Sequence, residues 1–193
     1  MTVIIAYADR EHNKCYVGGD FCVSFGSFRV NTNTTKVFHY NERFDIVIGC
    51  SGSVRMGHLV YTDKDMFPED MSSSQFDFNY IVKNVSPILK SYSDSLYSSD
   101  NQWELVIAIK DKLYLIQGDC SVLEMYDENN LITLGCGCET AWGAMKSLLF
   151  MYDYADKRGF DFRMSISELI VKALNISLKY NQGVDETTRV LHT

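Results

Sequence analysis

The chain has few residues that interrupt regular structure. Only two prolines occur in 193 residues, and the twelve glycines are scattered. There is no Ser/Gly-rich stretch, no single-sign charge tract and no internal repeat, so no linker divides the chain. One domain spanning residues 1–193 is expected, ordered nearly throughout. Long apolar runs are missing as well. The opening MTVIIAYADREHNK holds six apolar residues in a row before Asp9 and Arg10 end them, too short for a signal peptide or a membrane span. A cytoplasmic protein without a membrane partner is expected. Nor is there an excess of basic charge. The formal net charge is -7 with both signs interleaved, which argues against a phosphate-tracking surface and against nucleic acid as partner.

The six cysteines, at 15, 22, 50, 120, 136 and 138, do not make the dense framework of a small secreted domain and read as reduced, mostly buried thiols. Cys136-Gly137-Cys138 has no second pair, and the four histidines show no ligand spacing, so no metal site is expected. No motif calls for a cofactor.

What is present is enough apolar material, 46% of residues, for one sizeable core. Strands are expected at Val3 to Tyr7, Cys15 to Gly18, Phe21 to Val30, Lys36 to Tyr40 and Phe44 to Cys50. After Gly52-Ser53 the apolar spacing turns helical, through Val54, His58 and Leu59 and again from Phe78 to Leu89. Pro87 either kinks that second stretch or starts a new helix capped by Ser86. Strands return at Leu105 to Lys110, Leu113 to Gln117, Val122 to Tyr126 and Leu131 to Leu134. Two helices follow, one bearing Trp142, Met145, Leu148, Leu149 and Tyr152, the other opened by the Ser165-x-x-Glu168 capping box. This order fits an α+β, four-layer αββα sandwich of two antiparallel sheets flanked by helices. A one-sheet α+β domain would give much the same string.

Chemistry enters at Met1-Thr2, because removal of an initiator methionine before a small residue leaves a free threonine amine. That pair is common by itself. Here it stands with Gly19-Asp20 at a strand end, Lys36 opening another strand, and Gly49-Cys50-Ser51-Gly52-Ser53 passing from strand to helix. A free α-amine, with an ordinary pKa of about 7.7 to 8.0, can take a proton from a neighbouring hydroxyl near neutral pH. A buried lysine beside it would help keep it neutral, and a carboxylate would pin the lysine. Taken singly, Asp20 and Lys36 read as an ordinary turn residue and a solvated strand-starting lysine, and the glycines as turn formers.

The conjunction resembles the proteasome β subunits and the bacterial ring peptidase HslV, both N-terminal-nucleophile hydrolases. The likeness continues through Leu134-Gly135-Cys136-Gly137 and the helix after it. It implies Thr2 as nucleophile, Asp20 and Lys36 as its charged support, Gly49 as oxyanion-hole glycine, and Cys136 where the family usually carries a serine near the nucleophile's amine. It also implies an apolar specificity pocket lined by Val23, Phe38 and Val47, with Ser51 at the substrate, and homo-oligomeric rings served by an ATP-driven unfoldase that feeds them polypeptide. An aspartate and a serine that proteasome subunits carry after the last long helix fall near Asn181 and Val184, with Asp185 nearby. Three functions remain open at this point: a threonine peptidase, a non-catalytic proteasome-like scaffold or binding module, and an amidase acting on small acyl amides.

Overall fold

The computed structural model describes residues 2–25, 28–31, 36–96, 102–126, 130–159, 164–181 and 188–193. Strands β1 (Ile4–Asp9) and β2 (Lys14–Asp20) form a hairpin, followed by β3 (Cys22–Phe25), β4 (Phe28–Asn31), β5 (Val37–Tyr40) and β6 (Arg43–Gly52). Then come helix α1 (Val54–Thr62), the short α2 (Phe78–Tyr80), a π-helical turn over Ile81–Val85 and α3 (Ser86–Ser95). Strands β7 (Trp103–Ile109), β8 (Lys112–Gln117), β9 (Val122–Glu124) and β10 (Leu131–Leu134) lead to α4 (Cys138–Arg158), α5 (Ile166–Asn181) and β11 (Thr188–His192). Among the described residues no helix is long and apolar enough to cross a membrane.

Two large antiparallel sheets result, one ordered β10-β1-β2-β11 and the other β5-β6-β7-β8-β9, with β3-β4 as a separate two-stranded sheet. Strand alternation sends successive side chains to opposite faces, which sorts the apolar residues into three layers. Ile4, Ala6, Ala8, Cys15 and Val17 of the first sheet meet Val37, Val47, Val106 and Ala108 of the second, forming the core between the sheets. Val3 and Ile5 point the other way, onto Ala141 and Met145 of α4 and Leu169, Ile170, Ala173 and Leu174 of α5. Phe38, Ile46, Ile48, Leu105, Ile107 and Ile109 line the outer face of the second sheet against Met56, Val60, Ile81, Val85 and Leu89. The four-layer αββα sandwich is therefore the architecture. Both sheets are buried on two faces, so their strands read as near-continuous apolar runs and not as clean alternations.

Several expectations are corrected. The stretch from Phe21 to Val30 is not one strand but the β3–β4 pair, with Phe25 opposite Phe28. Strand β11 has no counterpart among the expected strands; it closes the edge of the first sheet by pairing with β2, Val190 opposite Gly18. Ser86 does not cap a new helix, because the chain is already helical at Val85 and the Ser86 hydroxyl donates to the Cys120 carbonyl at 2.9 Å. Pro87 lies in the first turn of α3, and the π turn over Ile81–Val85 directly precedes it, as expected where a residue without an N–H interrupts the regular helical hydrogen bonds. The Ser165–Glu168 box forms as expected, with Ser165 N–H donating to Glu168 Oε2 at 2.7 Å and Glu168 N–H to Ser165 Oγ at 3.3 Å. Trp142, placed by spacing on the buried side of its helix, is about half exposed.

Candidate active site

Three strand ends converge around Thr2. The β1–β2 register sets Ile4 opposite Gly19, and one step further Asp20 N–H donates to the Val3 carbonyl at 3.3 Å. Beyond this point the Asp20 side chain takes over from the backbone, its Oδ1 accepting the Val3 N–H at 2.8 Å. The other oxygen, Oδ2, pairs with Lys36 Nζ at 2.9 Å. Asp20 is 2% exposed and Lys36 9%. A buried ion pair persists when its geometry is good and its remaining polar atoms are satisfied, and here one carboxylate holds both the lysine and the backbone next to Thr2. Lys36 is itself fixed by its carbonyl, which accepts the Cys50 N–H at 2.8 Å.

The second strand end is β10. Gly135 follows it with φ +87, a region that disfavours any residue with a Cβ. A Cβ there would lie 2.0 Å from the Thr2 carbonyl oxygen and 3.1 Å from Ser51 Oγ, so only glycine allows this turn to press against Thr2. Cys136 follows on the surface, its Sγ 3.7 Å from the Thr2 carbonyl oxygen. The turn is held from below by Ser177 of α5, whose buried hydroxyl donates to the Gly137 carbonyl at 2.8 Å. Nothing in the sequence assigns Ser177 a role; a serine on the buried face of α5 gives no hint that it reaches this turn.

The third strand end is that of β6. Ser51 is buried there, close to Gly135. Gly49 lies inside the sheet, opposite Val37 on one side and Val106 on the other. Amide directions alternate along a strand; Cys50 N–H faces Lys36, so Gly49 N–H faces β7 and is directed into the ladder. Gly49 therefore does not present a donor to Thr2. The next amide on the Lys36 side belongs to Gly52, which is exposed, has φ +85 and stands where β6 gives way to α1. The turn after it is fixed by Ser53, whose hydroxyl caps α1 by accepting the Met56 N–H at 3.2 Å.

The pocket residues divide. Val47 is fully buried in the core between the sheets, while Phe38 is buried on the opposite face of the same sheet against the helices. Neither lines an open surface, and the two do not meet. Val23 lies on β3, its side chain outside the described residues, as are Met1, Val184, Asp185 and the side chain of Asn181. Thr2, Asp20, Lys36, Ser51 and Cys136 are brought together; Phe38, Val47 and Gly49 are not part of the cluster. Burial pushes the Cys50 thiol up to about 12, with the Lys36 ammonium acting weakly the other way. Cys50 is thus an inert neighbour. Among the described residues no group of three or more His, Cys, Asp or Glu side chains is placed to hold a metal ion.

No family model matches the chain. Among characterised relatives, it is 24% identical over 178 residues to an ATP-dependent protease subunit HslV of Campylobacter curvus, covering 92% of this chain and 93% of that protein. The HslV subunit of Aliarcobacter butzleri is 24% identical over 184 residues, covering 95% and 94%. Solved structures with the same fold include a eukaryotic HslV from Trypanosoma brucei (TM-score 0.62, 15% identity, 98% of each chain). Another is BPH of Thiobacillus denitrificans (TM-score 0.68, 13% identity, 100% of this chain and 97% of that one). A third is Anbu, an ancestral β-subunit, from Yersinia bercovieri (TM-score 0.66, 10% identity, 100% and 81%).

Proposed function

Taking as premise that this chain is a member of the HslV-like family of N-terminal-nucleophile hydrolases, we propose that it is a threonine peptidase working from Thr2 after loss of Met1. The observation that carries the reading is the buried Asp20–Lys36 pair, whose carboxylate also holds the amide that follows Thr2. A cation fixed there lowers the proton affinity of a nearby free α-amine, leaving it neutral and able to act as base. Thr2 Oγ attacks a peptide carbonyl as its proton passes to the Thr2 amine, and that proton then goes to the leaving amine. Water hydrolyses the resulting ester and restores the threonine.

The oxyanion donor in this scheme is Gly52 N–H and not Gly49. Gly52 is the exposed amide on the Lys36 side of β6, and a donor so placed is worth roughly 2.7 to 4 kcal/mol of barrier. Cys136 stands beside the Thr2 carbonyl and positions the nucleophile's backbone. Assembly into rings in the cytosol, fed with polypeptide by an ATP-driven unfoldase, belongs to the same proposal and is supported by the HslV relatives, named as ATP-dependent protease subunits. A non-catalytic, proteasome-like subunit is the second reading. Cys136 favours it, because a thiol is a weaker hydrogen-bonding group than the serine usual at that position.

The test is intact mass and N-terminal sequencing of the purified chain, followed by hydrolysis of fluorogenic peptides. Thr2 as first residue, with turnover lost in Thr2→Ala, is the expected result. Retention of Met1 without turnover assigns the chain to the non-catalytic reading. Epoxomicin, with which a BPH structure from Thiobacillus denitrificans has been solved, offers a second probe; the expected result is an adduct on Thr2.

A further inference from the structure

Ser51, at the end of β6, is 5% exposed, yet its hydroxyl makes no hydrogen bond among the described residues. Buried side-chain hydroxyls are nearly always paired, and one that is not needs a reason. The sheet does not supply it, because β6 engages Ser51 through its backbone, opposite Glu104 of β7.

Two alternations place this side chain against Thr2. Along β6, Ile46, Ile48 and Cys50 belong to the outer core and Val47 to the core between the sheets, so Gly49 and Ser51 also face the gap between the sheets. Along β1, Ile4, Ala6 and Ala8 face that gap while Val3 and Ile5 face α4 and α5, so the Thr2 side chain continues the inward row. The two strands are close here, since a Cβ on Gly49 would lie 3.1 Å from Ile4 Cγ2. Two residues further toward the same end of the sandwich, Ser51 stands opposite Thr2.

The Thr2 backbone opens to the same corner. Val3 N–H and C=O both meet Asp20, on the β2 side, so the nitrogen and carbonyl of Thr2 face the β10 side. Ser51 Oγ is there too: a Cβ on Gly135 would be 2.0 Å from the Thr2 carbonyl oxygen and 3.1 Å from Ser51 Oγ. While Met1 is attached, the Thr2 nitrogen is an amide with no basic lone pair. Loss of Met1 makes it an amine with two N–H groups and a lone pair, and that amine is the partner the hydroxyl lacks.

We infer that Ser51 Oγ accepts a hydrogen bond from the free Thr2 α-amine and thereby turns the nitrogen lone pair toward Thr2 Oγ. This role rests on the peptidase reading and adds to it the group that orients the base. Lys36 cannot fill it, because an ammonium only donates. Asp20 has one oxygen on the Val3 N–H and the other on Lys36, and Cys136 offers only the weaker thiol.

The experiment compares the native chain with Ser51→Ala by N-terminal sequencing, by hydrolysis of a fluorogenic peptide across pH and by urea unfolding. In Ser51→Ala with Thr2 first, kcat is expected to fall roughly tenfold to a hundredfold, the range of a hydrogen bond to a charged group. KM and the urea midpoint should stay close to native. A hydroxyl binds an ammonium more strongly than a neutral amine, so its loss should also move the acidic limb of kcat/KM to lower pH. The charged and titratable groups on the surrounding elements, Asp20 of β2, Lys36 before β5, Glu104 of β7, Cys136 after β10 and Glu139 of α4, are the same in both proteins. The difference between the two profiles therefore reports Ser51.

A raised KM at native kcat would put Ser51 on the substrate and overturn the proposal. Native kcat, an acidic limb that does not move, or a fall in kcat matched by a fall in the urea midpoint would overturn it as well. In all these outcomes the native chain still hydrolyses peptide, so the peptidase reading survives. A native chain that keeps Met1 and hydrolyses nothing overturns both.

Discussion

Asp20 and Asp63 are both buried carboxylates, 2% and 8% exposed, yet they are satisfied in opposite ways. The donors of Asp63 are neutral. Its Oδ1 accepts the Tyr40 hydroxyl at 2.7 Å and the N–H groups of Asp65 and Met66 at 2.8 and 2.7 Å, and Oδ2 accepts the Tyr92 hydroxyl. Burial alone would raise this carboxyl. The hydroxyls of Tyr92 and Tyr40 and the two amides outweigh it and hold the group below the ordinary carboxylate range. The result ties the end of α1 to β5 and α3 and presents no charge to anything outside. Asp20 gives one oxygen to the backbone beside Thr2 and the other to a lysine at a strand end. A carboxylate closed on neutral donors is a fastening, whereas Asp20 joins a cation to the backbone amide that follows Thr2.

The comparison breaks most sharply at the ion pair. Lys36→Met leaves Asp20 buried beside an apolar side chain. It is expected to lower stability by about 3–5 kcal/mol, measured by urea unfolding, and to reduce peptide turnover by roughly 10³-fold or more, as loss of one member of a catalytic group does. Full turnover in a folded Lys36→Met variant would remove Lys36 from the chemistry. Gly135→Ala forces a Cβ onto the Thr2 carbonyl at a φ that residues with a side chain avoid. A loss of about 1–3 kcal/mol is expected, with turnover falling more than stability because the displaced atom belongs to Thr2, the proposed nucleophile.

Asp63→Asn should cost about 1–3 kcal/mol at neutral pH and leave turnover per folded molecule unchanged. Since the folded carboxyl titrates below its unfolded value of about 3.9, its contribution is complete above that pH and is lost as the pH falls through the folded value. Chemical denaturation at pH 7 and pH 3 should therefore show the gap between variant and native protein closing in acid; a gap constant with pH would mean that the charge is not what matters. The smallest effect is expected from Cys136→Ser. This exposed site should change stability by no more than about 0.5 kcal/mol, while the stronger hydroxyl raises turnover a few-fold, read from peptide hydrolysis under identical conditions.

The residues legible in the sequence are those whose role is tied to local order. Asp20 and Lys36 stand out only through the resemblance to the proteasome β-subunit and HslV pattern, whereas the Ser165–Glu168 cap is legible by itself because both partners fall within one turn. Gly49 and the proposed donor Gly52 could not be told apart by sequence, since a glycine inside a strand and one at its end look alike until the ladder partners, Val37 and Val106, are known. Phe38 and Val47 cannot be assigned to opposite faces without the bulge between His39 and Tyr40. Ser177 and β11 are out of reach for a related reason. Each acts on a segment distant in the chain, and a five-residue strand at a sheet edge has too few positions for periodicity to register.

By itself the sequence determined most of the order of strands and helices, because hydrophobic period is local, and Asp20 and Lys36 were singled out by the family resemblance. Only the tertiary structure decided which amide at the end of β6 lies beyond the pairing with β5, how closely the Gly135 turn approaches Thr2, and which side of α4 is left uncovered. Those depend on register and on the packing of segments far apart in the chain, such as Gly135 against Thr2, and a single-residue shift in register would exchange every inward side chain for an outward one.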